Sequence, residues 1–248
     1  RGSKVLTRAK QGKYIKSKLP NGKIKDIAID ATIRAAAMRM NKGDEFKVTT
    51  EDIREKVRVG ECASFITFVV DASGSMGVMD RMKAAKGAIL SLLHISYQKR
   101  DKVAMLSFRE DNAHLLLPPT RSAELALKCL EKLPTGGKTP LPAGILKGME
   151  VIKTELIKND NLIPVLVLIT DGKGNVPIGQ DVLEDLARCA GEVKKRKIHP
   201  VVIDTEPGPV RLGLAKRFAE SCDAKYYHLE ELQVGELVSI VQSESKPR

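Results

Sequence analysis

From Ser64 onward, short apolar runs alternate with longer amphipathic segments. Phe65-Ile66-Thr67-Phe68-Val69-Val70 is a near-continuous β-branched and aromatic run, the texture of a strand covered on both faces of a parallel sheet. It ends in a polar turn, Asp71-Ala72-Ser73-Gly74-Ser75-Met76-Gly77. Met82, Ala85, Ile89, Leu92 and Leu93 then recur at helical spacing and predict a helix over about 80–98. The alternation continues with strands at Lys102 to Phe108, Pro164 to Thr170, Ile198 to Ile203 and Lys225 to His228. Helices are predicted at Ser122 to Leu133, Ala143 to Ile157, Val182 to Arg196, Leu212 to Cys222 and Leu232 to Val241. His114 to Leu117 is reached through Glu110-Asp111-Asn112, too short for a crossover helix, so it is expected to pair antiparallel at an edge. The order predicts an α/β fold: a doubly wound, mostly parallel sheet with one antiparallel edge strand and helices on both faces. Ligands of such sheets gather at the carboxyl ends of strands, where strand order reverses. The two most apolar strands both end in aspartate, Asp71 and Asp171.

The pattern before Ser64 is weaker. Residues 1–25 show little periodicity and read as a basic, extended arm, without structure of its own in isolation. Residues 26–60 read as a helical segment preceding the domain, which is expected to span 61–248. Within 26–60, Ile27, Ile29, Ile33, Ala36 and Ala37 lean to one side of a helix running to Met40. Asn41-Lys42-Gly43-Asp44 closes it as a turn. Phe46 to Val48 suggests a short strand, and Thr50-Glu51-Asp52 a cap for a helix from Glu51 to Val57.

Charge sharpens this division. Of the net +11, nine positive charges and no acid fall in residues 1–25, leaving the other 223 residues at +2. The lysines of the arm, Lys10, Lys13, Lys16, Lys18, Lys23 and Lys25, are candidates for docking on an acidic protein surface. A solvated tail without a partner is the alternative, and nucleic acid is the weaker one, since only Tyr14 offers stacking and no reading motif is present. No stretch is long and apolar enough for a membrane span, and no apolar signal segment follows the basic start. The chain begins at Arg1 rather than Met, as a fragment or processed form would. Cys62, Cys129, Cys189 and Cys222 lack metal-ligand spacing and read as reduced thiols, which points to the cytoplasm.

The polar turns carry the candidate chemistry. In Asp71-x-Ser73-x-Ser75 an acid and two hydroxyls at alternate positions can converge on one point at a strand end. Thr135-Gly136-Gly137-Lys138-Thr139-Pro140 offers a further hydroxyl, and Thr170-Asp171-Gly172 a second carboxylate. An all-oxygen set of this kind suits a hard divalent cation such as Mg²⁺. Other chemistries fail on particular positions. A phosphatase of the haloacid-dehalogenase type needs an acid where Ser73 stands. Ser73 and Ser75 lie in no Gly-x-Ser-x-Gly frame. Gly137-Lys138-Thr139 ends like a phosphate loop, but position 132 is Lys, so ATP is not expected to bind this chain.

The ordered set of Asp71, Ser73, Ser75, Thr139 and Asp171 resembles the metal-ion-dependent adhesion site of von Willebrand factor A domains, a Rossmann-like fold. The resemblance extends further. Met82-Lys83-Ala84-Ala85-Lys86-Gly87, Leu133-Pro134-Thr135-Gly136-Gly137-Lys138-Thr139-Pro140-Leu141, Leu168-Ile169-Thr170-Asp171-Gly172, Val202-Ile203-Asp204-Thr205-Glu206 and the stretch from Asp26 to Ala36 resemble the carboxyl-terminal part of the D subunit in the magnesium/cobalt chelatase family. The resemblance implies that those five residues bind Mg²⁺, with Mn²⁺ as substitute. It implies an AAA+ ATPase subunit and a large chelatase subunit as partners, with ATP entering only through a partner. It also implies membership of an ATP-dependent ligase forming nitrogen–metal bonds, with no catalytic residue in this chain. The family's AAA+-like domain has no counterpart in these residues. An interaction protein working with a MoxR-type AAA+ ATPase is the alternative.

Overall fold

The computed structural model describes residues 4–7, 13–22, 24, 26–41, 45–61, 63–74, 79–133, 136–206 and 213–229. The chain divides into two compact units, Arg1–Cys62 and Ala63–Arg248.

In the first unit, β1 (Lys4–Thr7) and β2 (Lys13–Lys18) flank β3 (Glu55–Glu61) in an antiparallel sheet of order β1-β3-β2. A bulge interrupts β2 between Tyr14 and Lys16. The residues expected as an arm and those expected as a helical segment thus share one sheet. Helix α1 (Ile29–Arg39) forms within the predicted segment. It buries Thr32 and Ala36, with Ala28 buried just before it, while Ile29 and Ile33 face outward. Small side chains allow close approach, and Thr32 Oγ1 accepts the Arg54 N–H at 3.0 Å. The helix expected from Glu51 is instead a single 3₁₀ turn, Thr50–Asp52, followed by β3. The Thr49 N–H and hydroxyl both donate to Asp52 Oδ2 at 2.8 Å. The capping residue is thus Thr49 rather than Thr50, with Asp52 as its partner, and Val57 and Val59 alternate with polar residues and continue as strand. Phe46 to Val48 forms no strand.

The second unit is the expected α/β sheet. β4 (Ser64–Asp71), β5 (Lys102–Arg109), β6 (Asn112–Thr120), β7 (Ile163–Thr170), β8 (His199–Asp204) and β9 (Lys225–His228) lie in the order β6-β5-β4-β7-β8-β9. Every pairing is parallel except β5 with β6 at the edge. Alternate residues of β4 point to opposite faces and feed two cores. Phe65 and Val69 pack with α4 (Leu141–Lys158), α5 (Val182–Lys195) and α6 (Leu214–Ser221). Ile66, Phe68 and Val70 pack with α2 (Met79–Lys99) and α3 (Ala123–Glu131). Ser122 caps α3 as its position suggested, accepting the Leu125 N–H. The closing helix expected at Leu232 to Val241 lies outside the described residues. Because β4 connects onward to β5 on one side and pairs with β7 on the other, strand order reverses at β4 and β7, and both strands end in the acidic turns.

Candidate metal centre

Parallel register sets Val70 beside Ile169, so the carboxyl ends of β4 and β7 finish together. Asp71 and Asp171 are both fully buried there. Asp71 is oriented on both oxygens: Oδ1 accepts the Ser73 N–H at 2.9 Å, and Oδ2 accepts the Thr170 hydroxyl at 2.8 Å. Burial pushes the Asp71 carboxyl up to about 6. The Ser73 and Thr170 hydrogen bonds oppose that rise, and the neighbouring Asp171 charge adds to it. Asp171 Oδ1 accepts the Lys173 N–H at 3.2 Å, and Lys173 Nζ stands 4.0 Å from Oδ2.

The loop carrying Thr139 is laced to the Asp71 turn. The Gly136 N–H donates to the Ala72 carbonyl at 2.8 Å, and the Gly74 N–H to the Gly137 carbonyl at 2.9 Å. Gly136 and Gly137 both have positive φ, and a Cβ on Gly137 would lie 2.7 Å from Glu110 Cγ, so glycine is needed at this crossing. Thr139 and Ser73 are both buried. Four of the five residues singled out from sequence, Asp71, Ser73, Thr139 and Asp171, thus lie on three turns that meet at one end of the sheet. Ser75 lies outside the described residues, as do Lys10, Lys23 and Lys25 of the basic set. Lys13, Lys16 and Lys18 sit exposed on β2, where Lys18 pairs with Glu55 at 3.4 Å.

Two adjacent buried carboxylates repel each other, and a cation is the physical remedy. Among the described residues no three His, Cys, Asp or Glu side chains gather at one point. What gathers here is a pair of carboxylates with hydroxyls, a set suited to a hard cation rather than to zinc. Sequence reasoning missed two contributors. Thr170 is a hydroxyl residue closing an otherwise apolar strand, which was a usable signal. Asn175 holds the Thr139 backbone through its side-chain oxygen and its own N–H, contacts that no spacing rule shows.

Residues 66–173 match the von Willebrand factor type A domain family, and residues 11–58 match the AAPxQ domain family. Over 169 residues the chain is 44% identical to the uncharacterised protein MJ0910 of Methanocaldococcus jannaschii, covering 97% of that protein and 68% of this chain. The chain belongs to the von Willebrand factor type A-domain proteins. This von Willebrand factor type A-domain protein is also related to several magnesium-chelatase subunits, at 31–38% identity. With the 67 kDa subunit of Heliobacterium mobile it shares 38% over 250 residues, 94% of this chain but 37% of that subunit. It thus spans little more than a third of that relative's length. The fold matches an aerotolerance-related membrane protein from Bacteroides fragilis, with a TM-score of 0.58 at 19% identity, over 75% of this chain and 100% of that one. It also matches the manganese-loaded Plasmodium vivax TRAP protein, with a TM-score of 0.57 at 16% identity, over 74% of this chain and 73% of that one. Identities this low establish a shared fold. No helix among the described residues is long and apolar enough to cross a membrane.

Proposed function

We propose that this chain is the cation-dependent adhesion module of an ATP-dependent chelatase that inserts magnesium or cobalt into a tetrapyrrole in the cytoplasm. The observation that carries the cation half of this reading is the buried Asp71–Asp171 pair at the strand-order reversal. The relationship to magnesium-chelatase subunits supports the assembly half. Asp71, Ser73, Thr139 and Asp171, together with Ser75, would hold one Mg²⁺ or Mn²⁺. When bound, that ion offers a coordination position to an oxygen ligand from outside the chain.

The chain's own residues prepare the place. Thr170 and the Ser73 N–H fix the Asp71 carboxylate, and the glycine crossing at 136–137 brings the Thr139 turn against the Asp71 turn. A carboxylate of an AAA+ ATPase subunit is the fitting outside ligand, which makes assembly conditional on the cation. ATP is hydrolysed by that partner, and insertion takes place on a large separate subunit. No residue of this chain has a catalytic role in the insertion. Lys10, Lys13, Lys16, Lys18, Lys23 and Lys25 supply a second, electrostatic contact to an acidic partner surface.

The test is co-precipitation of the AAA+ and large chelatase subunits with and without EDTA, using the wild-type chain and Asp71→Ala. Both EDTA and the substitution are expected to abolish capture. Capture indifferent to both would overturn the cation-dependent adhesion, and capture of a MoxR-type AAA+ ATPase alone would replace the chelatase assignment.

A further inference from the structure

We infer that Asn175 is a positioning residue for the cation site, acting through Thr139; the inference rests on the cation reading above. Asn175 grips Thr139 on both sides of its Cα. Its Oδ1 accepts the Thr139 N–H at 2.9 Å, and its own N–H donates to the Thr139 carbonyl at 3.1 Å. The side-chain contact needs an acceptor facing an N–H, which fixes which end of the amide points inward. The same Thr139 carbonyl takes the Leu141 N–H at 2.9 Å. Pro140 follows, which holds Thr139 away from the helical region. The backbone of residue 139 is therefore pinned on three sides, which fixes the direction in which its Cα–Cβ bond leaves the turn.

The segment that delivers Asn175 is itself fastened at both ends. It leaves β7 at the buried Asp171, and Gly172 turns it with φ of 69°. Gly174 passes so close to α4 that a Cβ would stand 3.1 Å from Leu141 Cβ. At its far end the Ile178 and Gly179 N–H groups donate to Asp185 Oδ2 at 2.6 and 2.9 Å, and Arg188 holds the other oxygen of Asp185 at 2.7 Å. One strap thus carries the Asp171 carboxylate and holds the backbone of Thr139. The two residues sit on different turns, yet a single segment ties those turns together.

The experiment measures Mg²⁺ affinity by calorimetry on the whole chain, for the wild type, Asn175→Ala, Asn175→Asp, Thr139→Ala and the double variant Thr139→Ala/Asn175→Ala. Thermal unfolding without cation checks the fold of each. Loss of one positioning hydrogen bond predicts about three- to tenfold weaker binding for Asn175→Ala. Asn175→Asp keeps an acceptor for the Thr139 N–H and is expected to restore the wild-type affinity or exceed it. In the Thr139→Ala background, Asn175→Ala is expected to add nothing, because its effect passes through the absent hydroxyl. Wild-type affinity in Asn175→Ala, or an undiminished loss in the Thr139→Ala background, overturns the positioning role while leaving the cation site standing. No Mg²⁺ uptake by the wild type sinks both.

Discussion

The two units are built on opposite plans. The second hides its apolar residues: β4 is buried along its whole length, with Phe65 and Phe68 fully covered, as is Phe108 on β5. The first hides little. Its buried hydrophobic residues are Ala28 and Ala36 among those whose burial is described, whereas Met38 is 80% exposed and Leu19 and Ile29 are each 64% exposed. Charge pairing takes the place of a core there. Arg39 forks onto both oxygens of Asp52 at 3.0 and 2.9 Å, Arg58 holds Asp26 at 2.7 Å, and the Lys56 ammonium lies 5.8 Å from the Tyr14 ring centre. Where burial dominates, the fold withstands surface change. Where pairs dominate, it answers to pH and salt.

The widest gap should appear in truncations. Phe68→Ala removes a fully buried ring between β4 and α2 and is expected to cost about 3–5 kcal/mol. Met38→Ala on α1 should fall within about 0.5 kcal/mol of the parent. Denaturant midpoints of the two variants measure the difference. Equal losses would mean that Met38 has a packing partner and would break the contrast between the units.

The same contrast decides what could be read from sequence. Runs such as Phe65–Val70 and Pro164–Thr170 can bury themselves only as central strands, so the sheet and its edge strand were legible. The acids ending those runs marked the candidate site, because a charge closing an apolar strand has to be met by something. The first unit gave no such signal. Lys13 to Lys18 alternates only weakly, and its pairing with β3 depends on residues some 40 positions away. The apolar residues expected to lean to one side of α1 part company: Ala36 is buried beside Thr32, while Ile27, Ile29 and Ile33 are exposed. Likewise, Asn175 turns its side-chain oxygen onto the backbone N–H of Thr139, 36 positions away, and such a long-range partner is not marked by spacing. Thr170 was the exception, a polar residue in an apolar strand that could have been assigned to Asp71 in advance.

Next in size is the Asp71 carboxyl, a fully buried acid of the second unit. Its folded value of about 6 lies above the ordinary 3.8. The native state therefore holds a proton that the unfolded chain has released between those values, and stability falls as pH rises through that window. The loss amounts to about 3 kcal/mol in cation-free protein. Mg²⁺ competes with that proton, so it should raise the thermal midpoint more at pH 7 than at pH 5. Melting curves with EDTA or with Mg²⁺ at both pH values read this out. A cation-free midpoint that does not fall between pH 4 and pH 6.5 would remove the electrostatic case for the site.

The smallest effect is expected in the first unit and has the opposite sign. Arg39 and the Thr49 N–H hold the Asp52 carboxyl well below the usual carboxylate range. For a lowered value, stability is present above the unfolded value near 4 and is lost as pH falls below it. Acid should therefore loosen the first unit over a range in which Asp71 disfavours unfolding of the second. The Arg39 side chain is 42% exposed, so water and salt screen the pair and hold the effect below that of Asp71. Amide exchange of Ala28, Arg54 and Lys56 reports on the first unit, and exchange along β4 reports on the second. Between pH 5 and pH 3, after correction for the intrinsic rate, the first set should lose protection while β4 keeps its own. Asp52→Asn should lower protection of the first set at pH 5 and flatten its pH response. If protection fell together in both sets, the two units would share one acid transition, and pairing in the first would not be what distinguishes it from the buried second.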